Sequence, residues 1–159
     1  MTFRTFSIDD YLKCCSSTRW ARLMSEAPAF ATQLSVFERA ESAFDQLSDQ
    51  DWLEAFLGHP RIGDMATLRV KYSSTREWSS NEQSGADGAS EEVLERLKTL
   101  NDDYYDKNGF IFIVCATGLS ASKMLARLEE RLKNDRQTEI KNASIEQRKI
   151  TRIRLEKLT

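Results

Sequence analysis

The chain has 159 residues, 40% of them hydrophobic and 30% charged, with a formal net charge of −2 at pH 7 and a sequence pI near 5.6. This is enough chain for one domain with a buried core, and the composition is that of a folded globular protein. A mildly acidic balance argues against nucleic acid as the main partner. The longest apolar run, Phe110 to Ala116, is far too short to span a bilayer, so no membrane partner is expected either.

Three cysteines (Cys14, Cys15 and Cys115) and one histidine offer neither a disulfide framework nor a Cys-x-x-Cys pair, and no metal site is expected from them. The cysteines read as buried packing residues. The first ten residues contain no apolar stretch of the kind a secretory signal needs. A reducing cytoplasmic setting is the simplest expectation.

In chain order, Ser7-Ile-Asp-Asp10 reads as a capping box opening a first helix to about Cys15. Ser17 or Thr18 caps a second helix through Trp20, Leu23 and Met24, stopped by Pro28. Val36, Phe37, Ala40 and Phe44 fall at helical spacing within a third helix from Ser35 to Gln46. Ser48-Asp-Gln-Asp51 opens the next, with Trp52, Leu53, Phe56 and Leu57 inward and an end at Gly58. From Arg61 to Ser80 the pattern weakens, although Met65, Leu68, Val70 and Tyr72 permit a helical turn or two.

Ser90-Glu91-Glu92 opens a helix in which Val93, Leu94, Leu97, Leu100, Asn101 and Tyr104 share an arc of roughly 120°, and Gly109 ends it. Phe110 to Val114 is the one strand-like segment; with no visible partner strand it reads as a buried extended connector. Gly118 and Ser120 precede a helix with Ala121, Met124, Leu125, Leu128 and Leu132 on one side. The last helix runs from about Asp135 to the end. Ile140, Ala143, Gln147, Ile150, Arg154 and Leu158 lie within roughly 80° of one another, placing Arg154 in the middle of an apolar stripe. A guanidinium there needs an anion or an acceptor. An internal salt bridge, a stem reaching outward to water and a ligand-binding arginine all satisfy that need.

Gly58-His59-Pro60-Arg61-Ile62-Gly63-Asp64 contains the only histidine, the side chain best suited to carry a proton near neutrality. Pro60 disfavours helix at His59, so the imidazole should stand at a helix-to-loop junction. Read alone, the stretch is also compatible with a plain turn. Likewise Ser79 and Glu82 in Ser79-x-x-Glu82-Gln83 have capping-box spacing and need no further role.

Taken together, four motifs in order, Gly58-His-Pro-Arg-Ile-Gly-Asp64, Ser79-x-x-Glu-Gln83, Leu100-Asn-x-x-Tyr104 with Gly109-Phe-x-Phe112, and Glu146-Gln-x-Lys-Ile150 with Arg154-Leu155, resemble the 2-oxo-4-hydroxy-4-carboxy-5-ureidoimidazoline (OHCU) decarboxylase family, bacterial type. Asn108 and Ile111 depart from it, standing where phenylalanine and proline are common. With the elements above, the resemblance implies an all-α fold: a single-domain helical bundle of roughly eight helices with one short extended segment, residues 1–159 forming one OHCU decarboxylase-like domain. It also implies cofactor-independent decarboxylation of OHCU to (S)-allantoin, the last step of urate degradation by the uricase route, in a cytoplasmic homodimer without metal or organic cofactor. Carried over by position, His59 and Glu82 would be catalytic. Pro60, Ser79, Gln83, Arg154 and the main chain of Phe110, Ile111, Phe112 and Ile113 would bind the small ureidoimidazoline substrate. The alternative is a non-catalytic helical protein that binds ureides or other partners.

Overall fold

A short side chain with an oxygen acceptor stands ahead of each helix delimited among the described residues. In the computed structural model, which describes residues 5–61, 65, 66, 68 and 90–159, seven helices are delimited: α1 (Ile8–Cys14), α2 (Thr18–Ser25), α3 (Gln33–Phe44), α4 (Asp49–Leu57), α5 (Glu91–Asn108), α6 (Ala121–Leu132) and α7 (Arg136–Leu158). Ser7, Ser17, Thr32, Ser48, Ser90 and Ser120 each accept from the backbone N–H three residues on. Asp135 does the same for Thr138 at the start of α7. Each cap satisfies a donor that the helix itself leaves open and contributes about 1 kcal/mol.

The fold is all-α, with no strand among the described residues. Residues 65, 66 and 68 are also helical, in the stretch where the sequence pattern weakens. The segment 111–116 is irregular, with Phe110, Phe112 and Ile113 buried, as expected of an extended connector. The chain divides into two compact units, one of residues 1–59, 113–115 and 140–159, the other of residues 60–112 and 116–139.

The first unit is built on a row of rings. Tyr11 meets Trp20 edge-on, Trp20 stacks on Phe44 at 5.2 Å, Phe44 on Trp52 at 5.3 Å, and Trp52 on Phe56 at 6.4 Å. Such pairs add about 0.5–1.5 kcal/mol each beyond their burial. Trp20 is fully buried and donates its indole N–H to the Ala40 carbonyl at 3.3 Å. Glu54 of α4 accepts from the Thr18 amide at 2.7 Å and its hydroxyl at 2.8 Å, tying α4 to the start of α2. Arg148 of α7 pairs with Glu41 at 2.7 Å and Asp45 at 3.0 Å while lying over Phe44 and Trp52.

In the second unit the organising group is a carboxylate with no solvent exposure. Glu139 accepts from the Tyr104 hydroxyl at 2.6 Å, from Arg131 Nε at 2.6 Å and from Asn134 Nδ2 at 2.9 Å. The Arg131 guanidinium also lies 4.8 Å over the Phe112 ring, and Tyr104 meets Phe110 and Phe112 edge-on. Arg131 and the hydrogen-bond donors thus compensate a charge that would be costly to bury alone. Asn108 has both side-chain amide atoms buried with no hydrogen-bond partner among the described residues, while its carbonyl accepts from Arg136 Nε at 2.8 Å.

Four sequence expectations need correction. Leu57 is 82% exposed, because five residues of helix rotate it about 140° away from Trp52; Ala55 takes the inward place. α3 begins two residues before Ser35, since Thr32 and Ser35 form the capping box. Along α7 the buried residues are Glu139, Ile140, Ala143, Ser144, Glu146, Gln147, Thr151 and Leu155, a surface wider than the predicted stripe. Of the predicted stripe, Ile150, Arg154 and Leu158 are half-buried. Cys115 is partly exposed, unlike the buried Cys14 and Cys15.

Candidate active site

His59 follows directly on the end of α4. Its backbone N–H donates to the Phe56 carbonyl at 3.3 Å, extending the last turn past the cap residue Gly58. Gly58 has ordinary right-handed torsions, so glycine is not required by φ. Space requires it: an added Cβ would overlap Ser16, lying 2.5 Å from that residue's own Cβ. The α1–α2 junction thus fits against the end of α4 and fixes where the imidazole begins. Gly58→Ala is expected to cost about 1–3 kcal/mol of stability in urea unfolding, and Gly58→Ala with Ser16→Gly to recover most of it.

The imidazole is held from the other end by α7. His59 Nε2 lies 2.6 Å from Gln147 Oε1. Gln147 Nε2 in turn donates to Thr151 Oγ1 at 3.0 Å, one helical turn on. Gln147 and Thr151 have no solvent exposure, and Thr151 is also hydrogen-bonded to the Cys15 thiol. A chain of polar contacts therefore runs from His59 through α7 to the end of α1. Burial lowers the pKa of His59 below its usual 6.5; the Gln147 hydrogen bond opposes that, and the positive charge of Arg154 adds to it. At neutral pH the ring is uncharged. With Nε2–H donated to Gln147, the basic lone pair is on Nδ1.

Arg154 donates Nη1 to the Cys14 carbonyl at 3.2 Å and, among the described residues, forms no ion pair. Its charge is felt at His59, Cys14 and Cys15. Burial outweighs it at Cys15, whose thiol is pushed up to about 11, so the thiol stays protonated near neutrality. Elsewhere on α7, Glu146 accepts from the Cys115 amide at 3.1 Å and from Lys149 Nζ at 2.6 Å.

Among the predicted site residues, the structure brings His59 and Arg154 together within the first unit, to which Ile113 also belongs. Pro60, Phe110, Ile111 and Phe112 belong to the second. Pro60 is exposed, Ile111 half-buried, and Phe110 and Phe112 are buried. Arg61, next to the proline, pairs with Asp102 at 3.1 Å and lies 4.2 Å over Tyr105. Ser79, Glu82 and Gln83 lie outside the described residues. Gln147 and Thr151 were not among the predicted site residues. The signal for them was a carboxamide and a hydroxyl spaced i, i+4 on the inward side of the last helix. Among the described residues no group of three or more His, Cys, Asp or Glu could hold a metal ion. No helix there is long and apolar enough to cross a membrane.

Fold and site together define an all-helical protein built around one uncharged imidazole with a guanidinium close by. A model of the OHCU decarboxylase family matches residues 5–156. The chain is 35% identical over 150 residues to the uric acid degradation bifunctional protein TTL of Arabidopsis thaliana, a match covering 94% of this chain and 46% of that protein. It is 30% identical over 138 residues to the 2-oxo-4-hydroxy-4-carboxy-5-ureidoimidazoline decarboxylase of Halalkalicoccus jeotgali, covering 87% and 75% respectively. A crystal structure of OHCU decarboxylase in the presence of (S)-allantoin superposes with a TM-score of 0.76 at 33% identity, over 94% of this chain and 96% of that one. This chain belongs to the OHCU decarboxylase family. It spans about half the length of the Arabidopsis relative.

Proposed function

We propose that the chain decarboxylates OHCU to (S)-allantoin, with His59 as the proton carrier. The supporting observation is the sole imidazole, kept uncharged by burial and committed at Nε2 to Gln147, close to the Arg154 charge. A base poised in its neutral form beside a fixed cation suits a substrate that carries a carboxylate and must lose a hydroxyl proton.

The reaction balances without an external electron sink. The bond from the ring carbon to the carboxylate breaks and releases carbon dioxide. Its electron pair moves toward the adjacent carbon–nitrogen double bond, whose nitrogen takes a proton from solvent. His59 Nδ1 removes the hydroxyl proton and returns it to the neighbouring carbon as the hydroxyl becomes a carbonyl. Delivery from one face sets the (S) configuration. Arg154 holds a substrate oxygen by charge-assisted hydrogen bonds, each contributing about 1.5–3 kcal/mol. By resemblance, Glu82 either tunes the imidazole or binds ureido N–H groups, Ser79 and Gln83 bind ureido and carbonyl groups, Pro60 lines the pocket, and main-chain groups of residues 110–113 bind the rest. The reading extends to a cytoplasmic homodimer in which residues 1–159 act as one domain.

The test uses OHCU generated in situ by uricase and hydroxyisourate hydrolase, with circular dichroism following allantoin. Optically active (S)-allantoin is expected to form faster than the spontaneous racemic background. Binding of (S)-allantoin with no acceleration would replace the enzyme by the non-catalytic ureide binder.

A further inference from the structure

We infer that Gln147 is a positioning residue that fixes the tautomer of His59, with Thr151 holding the carboxamide in turn. The inference takes its catalytic meaning from the proton-carrier reading above, but its physical content does not depend on the substrate. An isolated neutral imidazole exchanges its proton between two nitrogens, and only the unprotonated one serves as base. Here one ring nitrogen faces a carboxamide oxygen at 2.6 Å. The carboxamide is held in this sense because the Thr151 hydroxyl donates toward the Cys15 sulfur and so accepts from the amide nitrogen at 3.0 Å, with the whole side chain buried. Thr151 is itself buried and bonded to Cys15. The oxygen thus stays directed at Nε2, holding the proton there and leaving Nδ1 open.

The choice of an amide in place of a carboxylate matters as much as its direction. A carboxylate in the same place would fix the same tautomer but would also stabilise the imidazolium, moving the pKa up by about 1–3 units. An uncharged acceptor orients the ring and leaves it neutral. Among the described residues, the other groups bearing on the ring act in the same sense. Arg154, from the same helix, disfavours a second positive charge. On the α1 side, burial raises the pKa of both Cys14 and Cys15, so neither thiol supplies a compensating anion near neutrality.

Because the chain has one histidine, the test needs no resonance assignment. The full chain, labelled with 15N-histidine, is observed through long-range 1H–15N correlations across a pH titration, without substrate. In the wild type above pH 7, Nε2 is expected to be protonated and Nδ1 to resonate as an unprotonated ring nitrogen. Gln147→Glu should keep that pattern and raise the titration midpoint by about 1–3 pH units, shifting the acid limb of kcat/KM by the same amount. Gln147→Leu should populate the Nδ1–H form and reduce kcat more than it changes KM. A wild-type ring protonated at Nδ1, or a midpoint unmoved in Gln147→Glu, would overturn the inference. Wild-type protein that fails to accelerate allantoin formation would defeat the decarboxylase reading alone, since the nitrogen shifts still decide the part played by Gln147.

Discussion

Replacing His59 by asparagine is expected to leave the protein folded and to lower kcat for (S)-allantoin formation by roughly 10²–10⁴-fold. Asparagine can keep a hydrogen bond toward Gln147 and fill much of the ring's volume, so the loss should be kinetic. The cause is specific. A carboxamide neither accepts a proton from a hydroxyl at neutral pH nor returns one to carbon. Far-ultraviolet circular dichroism and urea unfolding check the fold, and the coupled allantoin assay checks the rate. A His59→Asn enzyme that retains wild-type turnover would remove the imidazole from the mechanism.

The largest stability effect is expected at Arg131, well outside the candidate site. Arg131→Met removes the cation facing Glu139, a carboxylate with no solvent exposure, while Tyr104 and Asn134 still donate to it. Breaking one side of a buried ion pair costs about 3–5 kcal/mol, because the remaining charge is left uncompensated. In a chain of this length that corresponds to a fall in Tm on the order of 10 °C. Adding Glu139→Gln should recover part of the loss, since the neutral amide still accepts from Tyr104 and no charge is left buried. A single substitution as stable as wild type, measured by urea unfolding, would show that the ion pair does not hold this unit together.

The helix starts were legible because they depend on local chemistry. Ser7, Ser17, Ser48, Ser90 and Ser120 each precede an amphipathic run, and each accepts from the N–H three residues on. α3 was misplaced by two residues because Thr32 and Ser35 are both competent caps, and the structure uses them reciprocally. Leu57 is apolar, but its angle on α4 turns it to solvent, and hydrophobicity alone does not tell the two apart. α7 shows a deeper limit. Periodicity puts Gln147 on the inward side but gives no sign that Ser144 and Thr151 are interior, nor that Gln147 meets a partner 88 residues away in sequence. That same blindness hid Gln147 as a ligand of His59. Conversely, the helix-to-loop junction at His59 was legible, because Pro60 disfavours helix at the residue before it and α4 does end at Leu57, although the stretch alone left a plain turn open.

The account stands most directly on whether the ionisation of His59 governs turnover. Burial and the Arg154 charge hold its pKa below 6.5, and the neutral form is the active base. kcat/KM should therefore rise with pH through an acid limb that lies below 6.5, then level off. Measured on the same protein, that limb is expected to coincide with the midpoint of the single imidazole titration seen by NMR. A limb displaced from that midpoint, or activity that continues undiminished after the ring is protonated, would contradict it.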